Sequence, residues 1–399
     1  MNVPSWLWVA TIAGIVGLLL FDFVFHVRKA HVPSLREAAV WSAFYVGIAL
    51  VFGVALLVFA GPTYGGEYFA GYVTEKALSV DNLFVFLIIM SSFAVPREDQ
   101  QKVLLFGIVF ALIARTGFIF LGAALINQFA WIFYLFGLIL ILTAVNMIKG
   151  ELSGGGHGDG QNFVVRLARR FLRTSEHYDG DKLFTVENGK RVLTPMLLVM
   201  VAIGGTDILF ALDSIPAIFG LTQETYIVFT ATAFSLMGLR QLFFLIDGLL
   251  ERLIYLSWGL SVILGFIGVK LILHALHENT LPFVNGGEHV AVPEISTGLS
   301  LGVILGVLVI TVVASLFSGK GKAKTTIANL RRHLDEYLDL GYTQDMAERE
   351  RVYQRAVAEG EQFGSLDPKY HSLAQDEPDL LEKIAEVRRR HEQMEAGNP

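Results

Sequence analysis

Cysteine is absent from the chain. Disulfides, thiolate metal sites and cysteine nucleophiles are therefore excluded. Basic residues are missing from two long stretches, with no Lys or Arg between Arg191 and Arg240 or between Lys270 and Lys320. Charge is expensive to desolvate in hydrocarbon, so such gaps mark segments that lie in or beyond a bilayer. Charged residues of both signs make up only 17% of the 399 residues, and the net charge is −6. No basic block could neutralise a run of phosphates, which argues against nucleic acid as a partner. No phosphate-binding loop is present either, so direct ATP drive is not expected. The start of the chain has no basic leader or small-residue cleavage site, and its first apolar stretch is expected to stay as a helix.

Apolar residues fill the chain instead: 53% are hydrophobic and 30 are Phe. A membrane span needs roughly 20 apolar residues. Nine stretches qualify, at about 6–25, 38–60, 75–94, 102–123, 128–148, 194–219, 225–246, 253–275 and 297–317. The third is the least apolar, because it opens with Glu75, Lys76 and Asp81. The expected fold is all-α: a polytopic membrane protein of about nine transmembrane helices with a helical tail. It divides into spans one to five (1–148), a loop (149–193), spans six to nine (194–318) and a charged tail (319–399).

Basic residues follow spans one, three, five, seven and nine, as in Arg28, Lys29 and Arg36, Arg97 and Lys102, and Lys320, Lys322 and Lys324. The alternate loops, 61–74, 124–127, 220–224 and 276–296, contain none. The positive-inside rule then places the N-terminus outside and the tail in the cytoplasm. Within the long loop, Gly154, Gly155, Gly156 and Gly158 read as a flexible linker around the lone His157. Phe163 to Phe171 reads either as a basic amphipathic helix on the inner surface or as solvated loop. The outer loop with Glu278, Glu288, His289 and Glu294 is acidic and reads as solvated. In the tail, helices are expected over 324–340, 344–359 and 379–395, punctuated by Gly341, Pro368 and Pro378. That tail is a candidate surface for a protein partner.

The most informative feature is an imperfect internal repeat. Glu75-Lys76-Ala77-Leu78-Ser79-Val80-Asp81-Asn82 matches Asp207-Ile208-Leu209-Phe210-Ala211-Leu212-Asp213-Ser214, an acid, five residues, a second acid and a small polar residue. Further on, Phe110 to Arg115 matches Phe234 to Arg240 with one residue inserted. Under the expected topology, spans three to five and six to eight are inverted copies of one three-helix unit, an architecture common in alternating-access transporters. Acids six residues apart on a straight helix are separated by about 600° of turn, so they stand about 120° apart and share no face. A common site then needs a break, and Gly204-Gly205 or Pro216 in span six would supply one.

Asp81 and Asp213 are the expected core pair, with Glu75 and Asp207 assisting. Asn82, Ser79 and Ser214 would add neutral oxygens. Such a set suits hard divalent ions such as manganese or magnesium. The histidines lie almost wholly in loops and tail and offer no buried cluster. Asp22, near the end of span one, reads equally as an inner gate or as an interfacial acid. Arg115 in mid-span four needs a carboxylate partner, for which Asp81, Asp213 and Glu75 are candidates. Arg240 is placed to snorkel toward the cytoplasm, and Lys76 to snorkel outward or to pair with an acid.

These motifs, with Thr206 and Ile215-Pro216-Ala217-Ile218 completing the second, resemble the TerC family, the tellurium-resistance membrane proteins, over roughly residues 1–318. The resemblance implies a bacterial inner-membrane protein of the lysine-exporter superfamily, with a branch of manganese exporters. Some relatives are tied to tellurite resistance, alkaline response or metal supply to secreted enzymes. It makes Glu75, Asp81, Asn82, Asp207, Asp213 and Ser214 the expected metal path, with Mn2+ as cargo and no resident cofactor. Three other readings stand beside it: a membrane organiser or insertion factor, transport of calcium or another cation, and a membrane enzyme. The last lacks a catalytic Ser–His or histidine-rich set.

Overall fold

A backbone in hydrocarbon finds no water for its N–H and C=O groups, so apolar runs of this length close their hydrogen bonds internally, as helices. The computed structural model describes residues 3–27, 35–93, 95, 97–129, 131–152, 183–187, 190–246, 253–279, 281, 282, 284–338, 346–367, 370 and 378–396. The glycine-rich linker, His157, the Phe163 to Phe171 segment, Arg28, Lys29, Gly341 and Pro368 lie outside the described residues.

The helices are α1 (Ser5–Asp22), α2 (Leu35–Phe59), α3 (Pro62–Ser92), α4 (Arg97–Gln128), α5 (Ile132–Leu152), α6 (Pro195–Phe219), α7 (Thr225–Leu236), α8 (Leu239–Ile246), α9 (Leu256–His277), α10 (Thr297–Phe317), α11 (Gly319–Leu338), α12 (Met346–Gly364) and α13 (Pro378–Ala396). A π-helical turn, Phe23–Val27, continues α1. Among the described residues, eight segments are long and apolar enough to cross a membrane: α1, α2, α4, α5, α6, α7 with α8, α9 and α10. The ninth expected span lies in α3, which is 31 residues long but carries Glu67, Glu75, Lys76 and Asp81.

The helices sort into centre and periphery. In the 18-residue apolar window of Thr225–Leu245, 89% of the residues are buried, against 17% in that of Ser5–Phe25. Large apolar side chains such as Val9, Val51 and Phe59 face outward from the peripheral helices. Exposure on this scale suits a surface met by lipid rather than water. In the centre, α3 packs on α7 and α4 packs on α6, while α3 also packs on α6 and α4 on α7. Each helix of the first acid-bearing pair thus touches both helices of the second. Close approach between helices uses small residues, as expected where lipid tails are as apolar as the side chains. A Cβ on Gly137 of α5 would fall 2.8 Å from the Gly268 carbonyl of α9. On the other side, Tyr68, Tyr72, Tyr226, Phe229 and Phe234 build an aromatic core between α2, α3 and α7, with Phe52 and Phe234 ring centroids 4.6 Å apart.

Two expectations are corrected. Helix α6 is continuous through Gly204, Gly205 and Pro216. The break lies one span later, where Met237 takes an extended ψ of 137° and Gly238 a φ of 77°, separating α7 from α8. A Cβ at Gly238 would also fall 2.8 Å from the Tyr45 Cβ. The loop before α6 contains an antiparallel hairpin, β1 (Phe184–Glu187) with β2 (Lys190–Leu193).

The chain divides into two compact units, Met1–Leu245 with Ser257–Val309, and Ile246–Leu256 with Ile310–Pro399. In the second, α11, α12 and α13 bury Leu330, Leu334, Tyr337, Val352, Ala356, Leu380 and Val387. His333 Nδ1 lies 2.6 Å from Glu359, and His391 stacks on Tyr353 at a centroid distance of 3.5 Å.

Candidate ion-binding site

The acids of both repeats are carried into the centre because α3 and α6 lie against each other and each also packs on one helix of the other pair. Arg115 enters from α4 with no exposed surface. Its Nε and Nη2 donate to the two Asp207 carboxylate oxygens at 3.2 and 3.0 Å, a bidentate pair. Its Nη1 donates to Ser214 Oγ at 3.3 Å and also contacts the Glu75 carboxylate. Glu75, Asp207 and Ser214 are all buried. One guanidinium thus joins the first acid of each copy. The start of one motif meets the end of the other, Glu75 beside Ser214.

Asp81 and Asp213 are half-buried, and Asn82 is buried. Asp213 lies within electrostatic range of both Arg115 and Asp81. The second acids are therefore near the cluster without being held by its arginine. Of the expected partners of Arg115, Glu75 is contacted, while Asp207 rather than Asp81 or Asp213 takes the bidentate position. Sequence spacing orients residues around one helix but not across helices, so it does not rank partners. Among the described residues, no three His, Asp or Glu side chains converge to hold a metal ion together.

A second buried cluster surrounds Arg240, just past the break. Its Nε and Nη2 donate to Asp22 at 3.1 and 2.7 Å, and its Nη1 to Gln101 Oε1. Gln241 Nε2 donates to Asp22 at 2.8 Å. Arg240 is turned to Asp22 instead of snorkelling, and both side chains are buried. Lys76 turns to backbone carbonyls, and among the described residues it pairs with no acid. Its ammonium donates to the Ser235 carbonyl at 2.9 Å and reaches the Met237 carbonyl at 3.4 Å.

Apart from Ser79, sequence reasoning missed a group of unpartnered hydroxyls. Among the described residues, Thr74 Oγ1 and Ser79 Oγ on α3, and Thr232 Oγ1 and Ser235 Oγ on α7, are buried without a hydrogen bond. Buried polar atoms are nearly always satisfied, so such a concentration marks a place built for water or an ion. A cavity of about 510 Å³ at the start of α3 was also missed. Thr63, Glu67, Thr222, Glu224, Lys270 and His274 line it, and Thr222 donates to Glu67 at 2.6 Å. The available signals were Glu67 and Lys270, lone charges beside long apolar runs. On the same side, His277 lies 3.4 Å from Glu294, and both are exposed.

The family model described as "Integral membrane protein TerC family" matches residues 60–323. A membrane protein of Mycobacterium tuberculosis (strain H37Rv) is 57% identical over 383 residues, covering 96% of both chains. A membrane protein of Myxococcus xanthus is 41% identical, covering 79% of this chain and 93% of its own. The Escherichia coli K12 protein Alx, named a membrane-bound redox modulator, is 36% identical over 316 residues, covering 77% of this chain and 93% of its own. No solved structure matches the chain. The matched region contains both acid motifs, Arg115 and Arg240, and the chain belongs to the TerC family of integral membrane proteins.

Proposed function

We propose that this protein exports a divalent metal cation, Mn2+ foremost, from the cytoplasm across a bacterial inner membrane, in exchange for protons or another cation. The observation that carries the reading is the convergence of Glu75, Asp207 and Ser214 on the buried Arg115. A buried arginine in this position neutralises acids that bare charge could not keep in hydrocarbon. A divalent cation can do the same. Export then amounts to an exchange, in which the metal takes over the carboxylates as Arg115 withdraws and Arg115 returns when the metal leaves. Asp81, Asp213 and Asn82 supply further oxygens beside the cluster. Oxygen ligands suit manganese, magnesium and calcium, and the missing cysteines remove the sulfur that would favour softer metals.

Alternating access is supported by the reciprocal packing of α3 and α4 on α6 and α7. The meeting of Glu75 with Ser214 is what two motifs running antiparallel would give. The unpartnered oxygens between α3 and α7 provide a polar seam through an otherwise apolar centre. With the N-terminus outside, Asp22 and Arg240 form a gate on the cytoplasmic side and the cavity at Glu67 an outer vestibule. A redox role like the one in the name of Alx would have no thiol to work through here.

The test is manganese efflux from loaded cells under several pH gradients. Saturable, protein-dependent efflux is expected, with calcium and magnesium as competitors that rank selectivity. Absence of any protein-dependent flux would move the reading to a membrane organiser.

A further inference from the structure

The two copies of the repeat differ in two places. The first copy has Lys76 where the second has Ile208. The second has an extra residue before Arg240, and the structure turns that insertion into the break at Met237 and Gly238. Helix α4 has no such interruption before Arg115. These two departures from symmetry meet in space, because Lys76 is the side chain that takes the carbonyls of Ser235 and Met237 at the end of α7.

The chemistry of that meeting is specific. The last carbonyls of a helix have no partner within it and carry the negative end of the helix dipole. In hydrocarbon they need a donor or a cation. Lys76 supplies one, and among the described residues no carboxylate lies within ion-pair distance of its ammonium. The same two helices carry, within one turn of these residues, hydroxyls with no hydrogen bond of their own among the described residues. Ser235 Oγ belongs to the same residue, Thr232 Oγ1 lies one turn back on α7, and Ser79 Oγ lies one turn on from Lys76 along α3. All three residues are essentially unexposed. Carbonyls at an unwound helix end, joined by hydroxyls and no carboxylate, form a donor set for a single positive charge rather than for a divalent ion.

We propose that the break between α7 and α8 is a monovalent-cation site whose built-in occupant is the ammonium of Lys76. The side chain is a tethered cation, fixed where a free sodium or potassium ion would otherwise bind. Its presence holds the break open and keeps the α7 end satisfied without drawing on the carboxylates around Arg115. The inference goes beyond metal export and does not depend on it, since the site is tested by stability alone.

The experiment uses the full chain purified in detergent, with thermal unfolding followed in sodium, potassium, ethylammonium and choline chlorides at equal ionic strength. The intact protein is expected to unfold at one temperature in all four salts. Lys76→Ala is expected to unfold several degrees lower in choline, and to regain most of that loss in ethylammonium or in one of the alkali salts. If Lys76→Ala cannot be recovered folded in choline, extraction in the other salts serves as the readout. Recovery there supports the site, and failure in every salt overturns it. A uniform loss with no cation dependence also overturns it. Lys76→Gln separates charge from hydrogen bonding, because its amide can donate to the carbonyls without carrying charge. Intact-like stability of that variant in every salt would reduce Lys76 to a neutral cap and sink the proposal.

Discussion

At the level of single residues, the account rests on Arg115. Two buried carboxylates and a hydroxyl depend on its guanidinium. Removing one partner of a buried ion pair leaves uncompensated charge and costs about 3–5 kcal/mol. Arg115→Met is expected to lose stability on that scale in denaturant unfolding, and the triple variant with Glu75→Gln and Asp207→Asn to recover most of it. Equal losses in the single and triple variants would mean that Arg115 acts through packing alone. The acids themselves were legible in the sequence, because carboxylates inside apolar runs are rare and these recur at one spacing. Their pairing was not. Which acid an arginine reaches is decided by how α3, α4 and α6 cross, and that information is spread over all the residues between them. The same holds for Asp22 and Arg240, which are 218 positions apart in the chain and 2.7 Å apart in the structure.

At the level of elements, the helices followed directly from the apolar runs, while the place of the break did not. Gly204, Gly205 and Pro216 are weak helix residues, yet α6 absorbs them because it is clamped on several sides: a Cβ at Gly204 would press on Phe110 at 2.9 Å. The true break needs a positive φ, and Gly238 supplies it beside the inserted residue of the second repeat. The insertion was visible in the sequence, but no break was read from it. Gly238→Ala forces a left-handed conformation on a residue with a Cβ, at about 1–2 kcal/mol, and adds the contact with Tyr45. A lower unfolding temperature is expected for this variant than for Gly306→Ala, where a Cβ meets nothing. Equal temperatures would contradict the reading of Gly238. The hairpin before α6 also had a signal, since Asn188-Gly189 separates two short alternating runs and favours a two-residue turn.

At the level of the whole molecule, the expected topology is open to a direct check that the sequence itself makes clean. The chain has no cysteine, so a single introduced thiol labels without background. Ala291→Cys in the loop between α9 and α10 is expected to react with an impermeant reagent in intact cells, and Ser365→Cys in the tail only after the membrane is opened. The reverse pattern would invert the orientation and with it the direction of transport. The orientation is expected because loop charge alternates along the chain; the packing of the tail helices rests on their own core and says nothing about cargo. Deleting 319–399 is expected to leave metal flux in place, whereas an organiser acting through the tail would lose its effect. The most direct test of the central claim is the initial rate of manganese uptake into energised inside-out vesicles, comparing the intact protein with Asp81→Asn and Asp213→Asn at matched expression. The account predicts saturable uptake by the intact protein and its loss in both variants, and undiminished uptake in both would contradict the assignment of the repeated acids to the metal path.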